Sequence, residues 1–324
     1  MKENMNAASD VSTAVKMEPK TKKEPKSKSK TELWCWVFLF PTLALFAMFQ
    51  GWPILASWYY ATLDWSGLTP DAKFIGIDNF VNVAKDPYFW NAFKNSFKFM
   101  LGTVPFHLFL ALVLAVILHK PGLKAANLFR TFIFLPVVTT TSIVGIIMVF
   151  IWGSDGAVND GLLKVGLLDQ PINWLGDAKW SMFTVILISV WKNLGVNLIY
   201  WLAGLQSIPQ EIYEAAEVDG ATGFRKFIHI TVPMLIPIGT IILLLNVVNS
   251  LKAFDLIKTM TNGGPFFATD VVSTYIYRYA FTSEMGLPQL GYASAAGLFF
   301  AVTICVIAII QSVVQKRLKG GKNA

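Results

Sequence analysis

Apolar positions gather in six long runs separated by shorter polar stretches, at residues 34–60, 97–118, 131–152, 181–205, 232–251 and 292–314. Each is long enough to cross a hydrocarbon core about 30 Å thick, which takes roughly 20 helical residues. Runs this long and this continuous are helices, since barrel strands are shorter and alternate in polarity. The pattern predicts an all-α membrane protein with six transmembrane helices. Pro41 and Pro53 interrupt the first run, so its helical part is expected to be shorter than its apolar part.

Composition agrees. The chain is 54% hydrophobic and 15% charged, where a soluble domain carries about 25% charge. Charge then sets the orientation, because Lys and Arg collect on cytoplasmic flanks. With both ends inside, the segments 1–33, 119–130, 206–231 and 315–324 hold 17 of the 27 basic residues. Only 8 fall on outer segments, and Lys98 and Lys192 lie within spans. The expected arrangement is N-in/C-in and multi-pass.

Three regions follow. Residues 1–32 carry Lys16, Lys20, Lys22, Lys23, Lys26, Lys28 and Lys30 with few large apolar residues. Such a segment cannot bury a core and is expected to be a disordered cytoplasmic tail. It serves most simply as an inside anchor in the membrane, not as a nucleic-acid site. The transmembrane domain spans 33–315 with an inner loop at 206–231, and 316–324 form a basic cytoplasmic end. The first run is too long for a signal-peptide core.

Little catalytic chemistry is visible. No GxxxxGK[ST] phosphate loop occurs, since Gly320-Gly321-Lys322-Asn323 lacks the spacing and the hydroxyl. His107, His119 and His229 are isolated, and Cys35 and Cys305 read as small apolar residues within spans, so no metal site is expected. No carboxylate falls inside a predicted span, which argues against a proton relay. The expectation is a protein that is not an enzyme and has no energy source of its own.

The loop 206–231 is the most informative segment, because it is acidic where a simple inner connection needs no such pattern. Ser207 is expected to cap a helix, with Gln210 closing a capping box and Thr222 capping a second helix. Ile208, Ile212 and Ala215 form an apolar stripe, Glu211 and Glu214 sit near the helix start, and Gly220 ends it. The segment either docks a soluble partner or lies on the bilayer surface. Surface helices carry Lys and Arg on the polar face, whereas this one carries acids, which favours docking.

Here the residues carry a resemblance. Glu214-Ala215-Ala216, Gly220, Ile230 and Val232-Pro233, at their spacing, resemble the EAA signature of ABC importer membrane subunits, with Val232 in place of the usual Leu. The extended stretch IPQEIYEAAEVDGA is similar to that of carbohydrate permeases. The segments FIGIDNF at 74–80, Phe129-Arg130 through Pro136, Asn262-Gly263-Gly264-Pro265 and Gly291 through Ala295 agree. Order and spacing resemble the first subunit of maltose, glycerol-phosphate and lactose transporters, over residue 33 to the end.

The resemblance implies a type I ABC importer permease in a bacterial cell membrane, surrounded by lipid. Its implied partners are a second, homologous permease, two copies of a cytoplasmic ATPase and an external solute-binding protein. ATP and Mg would be held by the ATPase, leaving this chain without a cofactor. Glu214 is implied to make a charge contact to the ATPase, Ala215 and Ala216 to pack closely, and Gly220 to supply the bend. Glu211, Asp219 and Phe224 complete the coupling set.

For the substrate, Ser189, Asn193, Asn197 and Tyr200 recur at helical spacing in the fourth run beside Trp191 and Lys192, and Asn246, Asn249 and Ser250 share a face in the fifth. Amides, hydroxyls and aromatic faces suit a sugar. Interhelical hydrogen bonding by buried polar residues is the alternative. Lys192 has no carboxylate in a predicted span, so it faces a wet cavity, backbone carbonyls, a partner subunit or an anionic ligand. A sugar or oligosaccharide substrate is expected, with glycerol phosphate or an acidic sugar as the alternative. A secondary carrier and a non-transporting membrane scaffold are the readings from other classes.

Overall fold

The computed structural model describes residues 28–120, 122, 125–221, 223–282 and 286–320. Of the expected disordered tail 1–32, residues 1–27 lie outside the described residues, as do the final four residues and the Thr222 cap, whereas residues 28–32 are not disordered but open the first helix. The chain divides into two units, Met1–Ile54 and Leu55–Ala324.

In order, the elements are α1 (Lys28–Phe46), α2 (Trp52–Tyr60), a two-strand ribbon of β1 (Leu63–Asp64) and β2 (Lys73–Phe74), α3 (Asp78–Lys85), α4 (Pro87–His119) and α5 (Ala126–Val138). There follow α6 (Thr141–Trp152), α7 (Ala157–Lys164), α8 (Ser181–Gln206), α9 (Gln210–Val218), α10 (Gly223–Lys226) and α11 (Val232–Leu251). The chain closes with α12 (Asp255–Met260), α13 (Val272–Phe281) and α14 (Leu290–Gly320). Six helical stretches are long and apolar enough to cross a membrane: Glu32–Tyr60, Pro87–His119, Thr141–Lys164, Ser181–Gln206, Gly223–Met260 and Leu290–Lys316.

Three expected boundaries are corrected. The first run is not shortened by its prolines: Pro41 lies within α1, and Pro53 follows a π-helical turn at Ala47–Gly51 in which the Trp52 N–H reaches back to the Ala47 carbonyl. A proline removes one donor and crowds the turn before it, and the wider turn relieves the crowding. The same device precedes Pro233, where the Val232 N–H reaches the Phe227 carbonyl.

The third run is not one helix. Thr139 and Thr140 are extended between α5 and α6. Pro136 cannot donate to Phe132, and the β-branched threonines tolerate the extended backbone well. The second run starts ten residues earlier than its apolar part, because Asp86 caps α4 by accepting from the Tyr88 N–H at 2.8 Å, with Pro87 in the first turn. Polar Asn91, Lys94, Asn95 and Lys98 hide this part of the helix from a hydropathy reading.

Within the second unit, α4 packs along α8 and α11, α5 crosses α8, and α13 packs on α14. Small residues set these approaches, as expected where helices associate by close packing. Ala111, Ala115 and Gly204 are buried between α4, α8 and α11. Gly195 lets α5 come so near that an added Cβ would lie 2.7 Å from the Ile133 carbonyl oxygen.

Polar ties fix the end of the bundle that carries the α12–α14 connection. Asp86 accepts hydrogen bonds from Tyr275 at 2.5 Å and Tyr292 at 2.9 Å. Buried Asp270 pairs with Arg278 at 2.6 Å and accepts from Thr274 at 2.7 Å. Asn95 donates to the Asp270 carbonyl at 3.1 Å, tying α4 to the same loop. Burial pushes the Asp270 carboxyl above its usual range, and the Arg278 guanidinium opposes that shift.

Candidate functional site

Two features lie along α8 and α11, one at the loop that joins them and one between them. The first is the elbow. Ser207 does not cap the next helix: its backbone is helical, and its hydroxyl donates back to the Gly204 carbonyl at 2.7 Å. It closes α8, the N-cap position of α9 falls to Pro209, and no capping box forms with Gln210.

The buried stripe of α9 also differs from the expectation. Ile208 and Ala216 are buried with Ile212 between them, whereas Ala215 is exposed. Spacing of four and then four drifts about 80° around the helix, so the buried stripe winds obliquely across α9 instead of running straight along it. Ala216 therefore packs on its own chain. Glu211, Glu214, Ala215, Asp219 and Gly220 face solvent, and Phe224 is 75% exposed.

Gly220 ends α9 at φ +76, with its N–H on the Glu217 carbonyl at 3.0 Å and the Ala221 N–H on the Ala216 carbonyl at 2.9 Å. This is the paired bonding of a Schellman stop, which places a left-handed residue after the helix. The expected second helix is a single turn, α10, running into the π-helical turn before α11.

Two links brace the elbow. Lys226 pairs with Glu217 at 2.5 Å. Tyr213, whose ring packs in the core around Leu235, places its hydroxyl 3.1 Å from the Thr231 hydroxyl. Thr231 is the last residue before α11, so α9 is fastened to the start of that helix.

The second feature is a cavity of about 470 Å³. Of the residues expected along a path, Lys192, Asn193, Asn197, Tyr200, Asn246, Asn249 and Ser250 all line it. Trp191 does not, and it is 45% exposed. A residue next to Lys192 is turned about 100° around α8, which carries the indole off the lining face.

Hydrogen bonds hold the wall in place. Asn246 donates to the Asn197 side-chain oxygen at 2.6 Å, joining α11 to α8. Asn197 and Asn193 each donate to the carbonyl four residues earlier on α8, and the Ser250 and Thr103 hydroxyls lie 3.1 Å apart.

Sequence reasoning missed part of the lining: His107, Thr141, Lys252, Phe254 and Asp255 also face this space. α11 ends at Leu251 as expected, and residues 252–254 turn the chain into α12, whose first residue, Asp255, brings a carboxylate to the cavity. His107 Nε2 lies 3.3 Å from the Ser189 carbonyl, which can only accept, so Nε2 carries the proton. His107 Nδ1 is then an acceptor, buried beside Asn246.

The comparisons agree with this geometry. The family described as "Binding-protein-dependent transport system inner membrane component" matches residues 107–320. The lactose transport system permease protein LacF of Rhizobium radiobacter is 34% identical over 278 residues, covering 85% of this chain and 92% of its own. A solved bacterial ABC transporter involved in the import of the acidic polysaccharide alginate superposes with a TM-score of 0.77 at 27% identity, over 90% of this chain and 97% of that one. A bacterial alginate ABC transporter in complex with an alginate pentasaccharide-bound periplasmic protein gives 0.78 at 27% identity, over 90% and 96%. With its six apolar helices and its polar chamber, this multi-pass membrane chain is a transport component rather than an enzyme, and it belongs to the inner membrane components of binding-protein-dependent transport systems, the permeases of ABC importers.

Proposed function

We propose that this chain is the permease subunit of an ATP-driven importer for a sugar or oligosaccharide. It forms the translocation path with a second permease subunit and receives an external solute-binding protein on its outer side. Two copies of a cytoplasmic ATPase, which hold ATP and Mg, engage the exposed acids, Ala215, Gly220 and Phe224 of the elbow. Both termini lie in the cytoplasm.

One observation carries the reading: polar residues from α8 and α11, chosen by helical spacing alone, converge on one cavity whose two helices are joined in sequence by the elbow. A force on α9 is transmitted to α11 through the Tyr213–Thr231 contact and to α8 through the short link at 207–209. The names of the similar proteins, a lactose permease and two alginate transporters, support a saccharide.

The experiment is reconstitution with the second permease, the ATPase and the binding protein. Saccharide uptake should require every component and hydrolysable ATP on the elbow side. Accumulation by this chain alone, or labelling of an Asp219→Cys variant from the outer face, would overturn the reading.

A further inference from the structure

We propose that the cavity takes a saccharide bearing an anionic group, a carboxylate, sulfonate or phosphate, with the Lys192 ammonium as its counter-ion. This rests on the cavity being the substrate path, as proposed above.

Lys192 is only 6% exposed, yet it lines the cavity. The ion pairs among the described residues are Lys226–Glu217 and Arg278–Asp270, so no carboxylate neutralises it. It also has no hydrogen-bond acceptor among the described residues. A charge in a membrane-spanning helix is costly and is retained where it meets water, a partner or a ligand.

Asp255 is the only acid among the described lining residues, and it forms no ion pair with Lys192. It is exposed and lies three residues from Lys252, which is exposed and lines the same space. Counted over the described lining, Lys192 and Lys252 against Asp255 leave one cation in excess. A purely neutral ligand would be served by the amides alone, and an apolar side chain at 192 would cost the helix less.

The rest of the wall fits a sugar ring. Asn193 and Asn249 offer amides, and Tyr200 and Phe254 offer aromatic faces. The cavity volume, about 470 Å³, falls within the range of about 300–1,000 Å³ of small-molecule sites. The anion meets Lys192 and the sugar hydroxyls meet the amides.

The test uses the detergent-purified complete transporter and equilibrium binding of radiolabelled probes. The probes are a uronate disaccharide, a sulfonated sugar and a sugar phosphate, each against its uncharged counterpart: the methyl ester, the desulfonated sugar and the free sugar. One acidic probe should bind at least about tenfold more tightly than its counterpart, and which one it is identifies the anion. That preference should vanish in Lys192→Met and persist in Lys192→Arg. Equal binding of charged and uncharged probes by the unaltered protein overturns the proposal, as does a Lys192→Met variant that keeps the preference. The first comparison needs no variant, so a failure of Lys192→Met to assemble leaves the test intact. If uncharged saccharides are bound and imported, only the anion is wrong; if no saccharide is bound or imported, the transport reading itself falls.

Discussion

Asn246 of α11 donates to the side-chain oxygen of Asn197 on α8 at 2.6 Å. The two residues are 49 positions apart in sequence, and their amides stitch together the two helices that the elbow connects. Interhelical hydrogen bonds within membranes contribute about 0.6–2 kcal/mol each. Asn197→Ala and Asn246→Ala should each reduce saccharide uptake several-fold at normal abundance. The double variant should cost little more than either single one, since the shared bond is already lost. Simple additivity in uptake and thermal unfolding would show that the two amides act independently.

The elbow depends on a backbone only glycine adopts comfortably. At φ +76, Gly220 sits where an L-residue costs about 1–2 kcal/mol. No atom lies within 4 Å of an added Cβ there, so the cost of alanine is conformational and not steric. Gly220→Pro and Glu214→Lys should both leave the protein in the membrane and the assembled ATPase active, while uptake per ATP hydrolysed falls at least about tenfold. Uptake at the unaltered ratio would remove the elbow from the coupling route.

Tyr213→Phe keeps the ring in its core and deletes only the hydroxyl facing Thr231. Coupling should weaken by a smaller factor than in the elbow variants, and Thr231→Val should match it. The check is the rise in ATPase rate on adding the loaded binding protein, which should shrink in both variants by a similar amount.

The Asp270–Arg278 pair carries a pH signature. Removing one partner of a buried pair costs about 3–5 kcal/mol, because a charge is stranded. In Arg278→Leu the carboxyl loses the cation that opposed its upward shift, so its pKa rises further. A raised folded-state pKa gives stability that is complete below the unfolded value near 3.8 and is lost as pH climbs through the folded value. Thermal unfolding should therefore show a large deficit at neutral pH that narrows on acidification. Adding Asp270→Asn to Arg278→Leu should restore much of the neutral-pH stability and flatten the dependence.

Two glycines in helices should behave oppositely. Gly195→Ala presses a methyl group against the α5 backbone and should lower the unfolding temperature and the yield of folded protein. Gly161→Ala in α7 meets no atom within 4 Å and should be neutral or stabilising by about 0.5–1 kcal/mol. Equal effects in a thermal scan would refute the close α5–α8 approach.

Much was legible from local pattern. Hydropathy placed the six spanning helices because burial in lipid demands long apolar runs whatever their neighbours. Helical spacing placed Asn193, Asn197, Asn246 and Ser250 on lining faces, because the period of a helix is a property of its backbone. The stop at Gly220 was readable for the same reason. Where expectation failed, the deciding force was not local. Ser207 was drawn back onto α8, Ala215 turned outward because Ala216 met the core, and the 131–152 run broke where no apolar count signalled it.

The chain alone determined that it must be a bundle of membrane helices, where those helices run, and which of their faces are polar, since these follow from hydrogen-bond satisfaction in lipid and from helical periodicity. Only the tertiary structure decided that His107 reaches Ser189, that Tyr213 reaches Thr231, that Asp255 joins the cavity and that Lys192 has no anion beside it. These relations depend on how helices cross, and crossing is set by which small residues permit close approach, a quantity summed over partners distant in sequence.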